Sequence, residues 1–496
     1  MNGGETMFES DLVVIGAGGA GLAGAVAAAE KGSSVTVIER RGTPGGNTVF
    51  AEGLFAVESP LQEQIQVKAT REEYFKKALD FSHYKVDARI LRSFIDKSGD
   101  TIRWLEEKGV RFFLEPLVAN QSPLTWHCSK YGGTDVINSL VEECKNLGVR
   151  LLYKTRAKNI ITEKSGKVTG VIAAADQEEI KIHTRAVIIA TGGFGANKKL
   201  LRKYCPFYNE QIKNTGLKNV HMGDGIKMAT DLGATTEGMG NLQISGPFFR
   251  GESQAPSRPP ILPSDTTKGA RTMASIPGEP TTIWVNKRGE RFMAEASAMV
   301  FETVNALLRQ PEQVCFSIFD NGIVQNLTSN GFTRKYRGRE VILDKTTADR
   351  ELQEAAERGI IEISDSWEKI AEWIGADPVI LTAAIDEYNT SCDNGYDQIF
   401  GKDNEYLIPL RTPPYYVIKG FPNLLTTLGG LRINHRMEVL DRNNEAIRGL
   451  YAAGNDTGGW ETDTYNIHLP GTTFGFAVNS GRIAGESAVK YISEQR

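Results

Sequence analysis

Residues 16–21 read Gly-Ala-Gly-Gly-Ala-Gly, and they join a short apolar stretch to an alanine-rich one. The apolar residues 11–15 predict a strand, the alanine-rich stretch after the glycines predicts a helix, and residues 34–38 predict a second strand that ends at Glu39. This pattern is the G-x-G-x-x-G fingerprint of a dinucleotide-binding β-α-β unit, which carries an acid about 20 residues further on. We expect the helix N-terminus to attract a pyrophosphate and Glu39 to accept a hydrogen bond from a ribose hydroxyl.

The composition narrows the class of protein. The 496-residue chain is long enough for two domains or more, and its net charge of −4, without a block of Lys and Arg, disfavours a nucleic-acid role. No apolar run reaches the ~20 residues that a membrane span needs. The polar residues 1–10 lack the basic and apolar regions of a signal peptide, so the sequence predicts a cytoplasmic location.

The cysteines are scattered along the chain and show no C-x-x-C spacing. Such spacing is typical of c-type haem, clustered zinc, iron–sulfur and redox-active disulfide sites. We therefore expect no metal site, and we expect electrons to enter or leave through a separate donor or acceptor molecule.

Periodicity and turn residues predict helices within 70–109 and 136–147, strands within 149–189, a Pro-, Ser- and Thr-rich loop at 246–280, mixed helical segments to about 393, strands after 413 and a helix at 472–492. We interpret this order as an α/β fold. Residues 1–240 and 426–496 are predicted to form one Rossmann-like dinucleotide domain, with an inserted α+β capping domain at 241–425.

Further glycine-rich turns follow the first one far along the chain. They are Gly-Gly-Asn-Thr at 45–48, Ala-Thr-Gly-Gly at 190–193, Gly-Asp-Gly at 223–225 and Gly-Leu-Tyr-Ala-Ala-Gly at 449–454. With Val-Asn-Lys-Arg-Gly-Glu-Arg-Phe at 285–292 and Gly-Arg-Ile-Ala-Gly at 481–485, their order resembles the family of flavoprotein subunits of fumarate reductase and succinate dehydrogenase, and their relatives the 3-ketosteroid dehydrogenases. The resemblance covers nearly the whole chain and implies a Rossmann-like FAD-binding domain with a capping domain.

The resemblance also implies how FAD is bound. Its pyrophosphate would lie on residues 16–21 and its flavin ring near Asn47 and Thr48, with the N-terminus of the last helix at the pyrimidine edge, where N–H groups favour the negative charge of reduced flavin. Covalent family members use a histidine where this chain has Asn47, so non-covalent FAD is expected; Asn455 replaces the family's ribityl-binding Glu. The expected cofactor residues are Gly16, Ala17, Gly18, Gly21, Glu39, Arg40, Gly46, Asn47, Thr48, Gly53, Thr191, Gly192, Asp224, Asn455, Thr472, Thr473 and Phe474.

The family's dicarboxylate site is changed in this chain. Fumarate reductases hold the substrate carboxylates with two histidines and an arginine, and a second arginine delivers the proton. The matching positions here are Ser245, Met299, Leu425 and His468. Without the planar fork of arginine, the family's usual fumarate, succinate or urocanate chemistry is disfavoured. If the alignment slips by a few residues, Arg288, Arg291 or Arg334 would approach the site instead, although a structural role is favoured for Arg291.

Residues 469–475, Leu-Pro-Gly-Thr-Thr-Phe-Gly, look more like the 3-ketosteroid dehydrogenases, which use tyrosines to polarise a ketone and take a proton. The tyrosine that those enzymes carry near the Arg-Phe pair falls at Met299, so another residue must act here. The first candidate for acid–base catalysis is His468, because a neutral imidazole has a suitable pKa; Tyr465 and Glu461 come next, followed by His127 and Tyr131.

The leading hypothesis is an FAD-dependent oxidoreductase that adds or removes two hydrogens at a C–C bond activated by a carbonyl. Its small-molecule substrate would be relatively apolar, cyclic or steroid-like, and enclosed between the two domains. A second hypothesis keeps organic acids as substrates with a rearranged anion site. A third is a flavin electron-transfer component without its own substrate, against which the inserted domain argues, because an electron carrier needs no lid.

Overall fold

The computed structural model describes residues 6–117, 123–175, 178–214, 216–217, 219–249, 276–295, 301–333 and 342–495. The strands are β1 (Thr6–Glu9), β2 (Leu12–Ile15), β3 (Val35–Ile38), β4 (Gly53–Phe55), β5 (Phe112–Glu115), β6 (Trp126–Ser129), β7 (Arg150–Leu152), β8 (Thr155–Thr162), β9 (Val168–Ala175), β10 (Glu178–His183), β11 (Ala186–Ile189), β12 (Lys213–Asn214), β13 (Thr236–Glu237), β14 (Leu242–Phe248), β15 (Ile283–Val285), β16 (Cys315–Asp320), β17 (Ile361–Ser364), β18 (Tyr415–Thr427), β19 (Gly430–Leu431), β20 (Glu438–Leu440) and β21 (Ala446–Ala452). The helices are α1 (Gly19–Ala29), α2 (Pro60–Gln64), α3 (Arg71–Phe81), α4 (Ala88–Glu107), α5 (Gly133–Asn146), α6 (Lys198–Tyr204), α7 (Asp224–Asp231), α8 (Thr303–Leu308), α9 (Asn321–Asn330), α10 (Lys345–Glu357), α11 (Trp367–Ile374), α12 (Pro378–Asn394) and α13 (Thr472–Glu494).

The central sheet has the strand order β20-β21-β11-β2-β3-β7. The pairs from β21 to β7 are parallel, whereas β20 is antiparallel to β21. Strands β2, β3 and β11 are apolar and buried along their whole length, as is typical of a parallel sheet covered on both faces. The predicted β-α-β unit is therefore confirmed, with α1 between β2 and β3.

The capping part is built around the long strand β18. Four of the described strands pair with it, namely β12, β14, β16 and β17. Helices α8 to α12 lie before β18 in the same part of the chain. The predicted α/β fold with a capping α+β part is confirmed. The boundaries at residues 240 and 425 stay predictions; β18 continues to Thr427, and β12 joins the sheet from residues before the predicted boundary.

Two strands lie where the sequence pattern indicated mixed helical segments, namely β16 and β17. The reason is that β16 is buried at every position, and a short apolar run has no periodicity that distinguishes a buried strand from a buried helix.

Helix α13 packs directly against α1, and small residues let the two backbones approach. A Cβ atom added to Gly481 would lie 2.1 Å from the carbonyl oxygen of Ala20, and one added to Gly485 would lie 2.3 Å from that of Gly24. This contact sets the position of the N-terminus of α13 relative to the glycine loop that precedes α1.

A buried ionic cluster stabilises the capping part. Arg291 donates through Nε and Nη2 to the carboxylate of Glu295 and through Nη2 to Asp397, each at 2.9 Å. The ammonium group of Lys402 lies 3.3 Å from the same Glu295 carboxylate. Side chains of this cluster are at most 1% exposed.

Membrane-spanning helices and clusters of metal-binding side chains are both absent from the described residues. Within the described ranges, no helix has the length and apolar character to span a membrane. Within the same ranges, no group of three or more His, Cys, Asp or Glu side chains is arranged to hold a metal ion.

Candidate functional site

A cavity of about 350 Å³ opens at the carboxyl ends of the central parallel strands, where Ile15, Ile38 and Ala190 line it. This edge is where doubly wound sheets bind their ligands. The predicted site residues in its wall are Gly16, Gly18, Glu39, Arg40, Gly46, Asn47, Thr48, Gly53, Thr191, Gly192, Asp224, Asn455, Tyr465, Thr473 and Phe474. The predicted site residues outside its wall are Ala17, Gly21, Glu461, His468 and Thr472.

The first glycine loop has the geometry that its sequence predicts. Gly16 has a φ of +111°, and a Cβ there would lie 2.2 Å from the carbonyl oxygen of Ala190. A Cβ on Gly21 would lie 1.9 Å from the carbonyl oxygen of Gly16, so this third glycine serves the close packing of helix on strand. Gly18 caps α1, and the N–H of Gly19 donates to Thr48 Oγ1 at 3.1 Å.

Glu39 braces this loop. Its Oε2 accepts from the N–H of Ala17 at 3.0 Å, and its Oε1 accepts from the N–H of Arg41 at 2.8 Å. The backbone N–H of Ala17 thus helps to hold Glu39 in place, and Glu39 itself lines the cavity. The expected contact between Glu39 and a ribose hydroxyl stays a prediction.

Arginine side chains gather at the adjoining end of the cavity around Asp224. Arg40 Nη1 and Arg156 Nη2 each lie 3.2 Å from that carboxylate, and Arg40 also donates to the carbonyl oxygens of Asn219 and Val220. Asp224 therefore holds these two arginines in place at this end of the cavity.

His221 and Arg156 line the same end of the cavity, and the sequence analysis missed both. Burial, together with the charges of Arg40 and Arg41, lowers the pKa of His221 to about 4, so its imidazole is neutral at physiological pH. Neither residue belongs to a motif with recognisable spacing.

Asp456 holds the glycine-rich turn at residues 190–193 through hydrogen bonds. Its buried carboxylate accepts from the N–H groups of Thr191, Gly192 and Gly193, the last two at 3.0 Å, and from the Thr191 hydroxyl. The sequence predicted a cofactor contact for the neighbouring Asn455 but gave no signal for Asp456. The Oδ1 atom of Asn455 is buried and has no hydrogen-bond partner among the described residues. A ribityl hydroxyl of FAD is a donor of the kind that this orphaned acceptor requires.

The opposite end of the cavity, around Asn47, is apolar and aromatic. Asn47 Nδ2 lies 3.5 Å from the carbonyl oxygen of Leu425, and its Oδ1 accepts from the N–H of Leu217 at 3.0 Å. The apolar side chains that line this end, here called the aromatic wall, are Leu117, Trp126, Phe301, Leu425 and Tyr465. The rings of Phe301 and Tyr465 pack with centroids 4.6 Å apart.

Polar groups at the aromatic end come from α13 and β14. The Thr473 hydroxyl donates to Gln243 Oε1 at 2.8 Å, and both side chains line the cavity. Glu52 is an acidic residue in the same wall. The sequence analysis missed Gln243 because a single glutamine in a strand carries no motif.

Tyr465 is the catalytic candidate that the structure brings to the cavity. Its hydroxyl oxygen accepts from the N–H groups of Gly471 at 2.7 Å and Thr472 at 3.0 Å, the N-cap and the first residue of α13. Burial raises the pKa of Tyr465 to about 12, so the phenol holds its proton.

Glu461 and His468 lie elsewhere, which corrects their prediction as groups in the main cavity. Glu461 lines a second, smaller cavity of about 10 Å³ that Thr472 also lines, and burial raises the pKa of Glu461 to about 8. His468 is exposed and packs edge-on against the ring of Phe81, with centroids 6.0 Å apart.

The remaining candidates also lie outside the cavity wall. His127 is buried in β6, where Nε2 lies 2.7 Å from Ser59 Oγ, and burial lowers its pKa to about 4. Tyr131 is 41% exposed. Ser245 pairs with Asn423 at 3.3 Å.

A shifted alignment would bring Arg288, Arg291 or Arg334 to the substrate site. Among the described residues, these arginines form no anion site. Arg291 is held in the buried ionic cluster, and Arg288 is exposed. Met299 and Arg334 lie outside the described residues.

Comparison with known proteins gives a consistent result. Residues 11–467 match the family model described as an FAD binding domain. A vinyl phenol reductase of Lactiplantibacillus plantarum is 34% identical over 98% of this chain and 97% of its own length. An NADH:fumarate oxidoreductase of Klebsiella pneumoniae is 28% identical over 97% of this chain, which spans only 48% of that protein.

Solved structures share the architecture. The open conformation of a flavocytochrome c3 fumarate reductase matches with a TM-score of 0.74 at 25% identity, over 98% of this chain and 78% of that one. A 3-ketosteroid Δ1-dehydrogenase from Sterolibacterium denitrificans matches with a TM-score of 0.78 at 18% identity, over 97% of this chain and 99% of that one, which shows the common fold.

Proposed function

Because the chain belongs to the FAD binding domain family and is an FAD-dependent oxidoreductase, we propose that it reduces the C=C bond of a neutral aromatic alkene of the vinyl phenol type. The observation that carries this proposal is the aromatic wall at the predicted flavin-ring end of the cavity. Flat aromatic substrates pack well against such side chains.

The charges of the cavity support a neutral substrate. Among the described residues of its wall, the arginines are Arg40, Arg41 and Arg156, which come from the end where Asp224 lies. Of the positions that match the carboxylate-binding histidines, Leu425 is apolar and Ser245 lies outside the wall. A dicarboxylate at the aromatic end would be buried without a matching cation, which is costly.

FAD fits the other features of the cavity. The glycine turns leave room for a ligand, the N-terminus of α1 and the arginines suit a pyrophosphate, and the orphaned Oδ1 of Asn455 suits a ribityl hydroxyl. Asn47, an unreactive amide, supports non-covalent binding. When bound, the reduced flavin supplies a hydride to one carbon of the substrate double bond.

The residues of the chain supply the proton and the orientation in this proposal. Tyr465 donates its phenolic proton to the second carbon, and its raised pKa ensures that the proton is present at neutral pH. The Gly471 and Thr472 N–H groups that point at the tyrosine oxygen stabilise the phenolate that forms. Gln243 and Thr473 orient the reacting partners, and a separate electron donor reduces the flavin.

Anaerobic reoxidation tests the proposal. The photoreduced holoenzyme is mixed separately with 4-vinylphenol, fumarate, a cyclic enone and a 3-oxo-steroid, and the return of the oxidised flavin absorbance is followed by stopped flow. We expect 4-vinylphenol to reoxidise the flavin fastest, with 4-ethylphenol as product. Reoxidation by fumarate alone would establish the organic-acid alternative, and reoxidation by none of the compounds would favour an electron-transfer component.

A further inference from the structure

The second cavity lies at the start of α13, where Thr472 lines it and donates its backbone N–H to the Tyr465 hydroxyl. Its apolar lining comes from Ala78, Val86, Leu91, Phe94, Trp460 and Leu469. Its polar lining comes from Glu461, Asn466 and Thr472. Its volume of about 10 Å³ is roughly the smallest that holds one water molecule, and a water there would have polar partners.

Glu461 is a buried carboxyl group, 7% exposed, in this mostly apolar cavity. Its Oε1 accepts from the N–H of Thr462 at 3.2 Å, and the N–H of Asn466 also donates to the carboxyl group. Burial, reinforced by the nearby negative charge of Asp463, raises its pKa to about 8. Helices α3 and α4 contribute only apolar side chains to this cavity, and these cannot stabilise a carboxylate. Glu461 therefore carries a proton at neutral pH.

Thr472 connects Glu461 with Tyr465. Its Oγ1 atom is buried and makes no hydrogen bond of full geometry to the described residues. The same hydroxyl lies close enough to the Tyr465 hydroxyl to lower the pKa of that phenol, while Glu461 is close enough to raise it. The hydroxyl of Thr472 therefore lies between the second cavity and a residue that lines the main one.

We propose that Glu461, one water molecule in the second cavity and the Thr472 hydroxyl form a proton relay that restores the proton of Tyr465 after each turnover. This inference rests on the proposed function, in which Tyr465 protonates the substrate. It gives the buried carboxyl group and the unpartnered hydroxyl a common role.

The relay balances in protons. When Tyr465 protonates the substrate, its O–H bond breaks and a C–H bond forms. The resulting phenolate takes a proton from the Thr472 hydroxyl, which takes one from the water, which takes one from the Glu461 carboxyl group. Glu461 is left as a carboxylate and regains one proton from solvent before the next turnover, and no electrons move along the relay.

The test compares one turnover with many in the holoenzyme of Glu461→Gln, which keeps an oxygen that can accept from Thr462 and Asn466. In a single turnover Tyr465 still holds its own proton, so reoxidation of the prereduced flavin by 4-vinylphenol is expected at the wild-type rate. In steady state we expect kcat to fall about 10-fold or more with KM unchanged. In the wild type, kcat should fall as pH rises through about 8, where Glu461 ionises, and this decline should be absent in the variant.

Variants at position 472 and infrared spectroscopy provide independent readouts. Thr472→Val is expected to reproduce the steady-state defect, and Thr472→Ser to restore most of the rate. The wild-type holoenzyme should show a carboxylic-acid C=O band that titrates near pH 8 and is missing in Glu461→Gln.

The inference is overturned by a Glu461→Gln enzyme with wild-type kcat and pH profile, or by a wild type without that infrared band. Failure of wild-type reduced flavin to react with any alkene would instead overturn the proposed function.

Discussion

The hydroxyl group of Tyr465 holds the start of α13 and, in the proposed function, also donates the proton. The oxygen accepts from the N–H groups of Gly471 and Thr472 and so satisfies donors at the start of α13, which a glycine N-cap cannot do with a side chain. The O–H proton remains available for donation, and the ring is held by Phe301. A residue that anchors the helix thereby has a fixed position in the cavity.

Removal of this hydroxyl is the direct test at the residue scale. In Tyr465→Phe we expect the flavin to remain bound and the rate of flavin reoxidation by 4-vinylphenol to fall by about 10²- to 10⁴-fold, because the proton donor is lost. Loss of the cap should also lower the free energy of unfolding by about 1 kcal/mol. Stopped-flow absorbance and urea denaturation measure the two effects.

Tyr131→Phe is the matched control, because that phenol is exposed and lies outside the cavity wall. A Tyr465→Phe enzyme that reacts as fast as the control would remove Tyr465 from the proton-donating role.

The sequence could place residues in the cavity wall where a backbone motif fixes their position. Most of the predicted glycines, with Glu39 and Asn455, line the cavity because strand ends and helix starts must meet there. Among the acid–base candidates, Tyr465 faces the cavity while His468 is exposed, since side-chain direction in an irregular loop depends on packing that spacing does not encode. The aromatic wall was not predicted either, because its members come from distant segments.

At the scale of elements, the contact between α1 and α13 positions the site. The two helices touch through backbone atoms at Gly24, Gly481 and Gly485. The carboxyl end of β2 and the N-terminus of α13 thereby reach the same cavity. The length of the terminal helix was evident from its periodicity, but its partner could be known only from the fold.

A methyl group at this contact should separate the helices. In Gly481→Ala the added Cβ would overlap the carbonyl oxygen of Ala20, so we expect a loss of about 1–3 kcal/mol in the free energy of unfolding. The affinity for FAD, measured by fluorescence quenching during titration of the apoprotein, should also fall because the helix N-terminus shifts.

Lys490→Ala, at an exposed position of the same helix, is the control and should change neither quantity. Wild-type stability and FAD affinity in Gly481→Ala would show that the two helices can separate without cost.

At the scale of the whole molecule, the capping part depends on the buried ionic cluster. Arg291 compensates the charges of Glu295 and Asp397, and all three side chains are buried. The sequence pattern around Arg291 indicated either a structural role or an anion site, and the cluster supports the structural role. The distant partner Asp397 could not be inferred, because no periodicity links it to Arg291.

Breaking this cluster should destabilise the capping part. In Arg291→Ala, Glu295 and Asp397 share only the charge of Lys402, and we expect the free energy of unfolding to fall by about 3–5 kcal/mol. Urea denaturation followed by circular dichroism measures the change. Arg411→Ala removes an ion pair to Asp393 whose side chains are 50% and 57% exposed, and should cost less than about 1 kcal/mol. Equal losses in the two variants would contradict a special role for the buried cluster.

The place of β21 in the central sheet determines when the cofactor pocket can form during synthesis of the chain. This strand lies between β20 and β11, and Asn455, Thr473 and Phe474 of the cavity wall follow it in the chain. A nascent chain on the ribosome therefore carries the glycine fingerprint early but completes the cofactor pocket only after residues 455–474 have been synthesised. The order of the chain thus delays a complete flavin pocket until long after the fingerprint has left the ribosome.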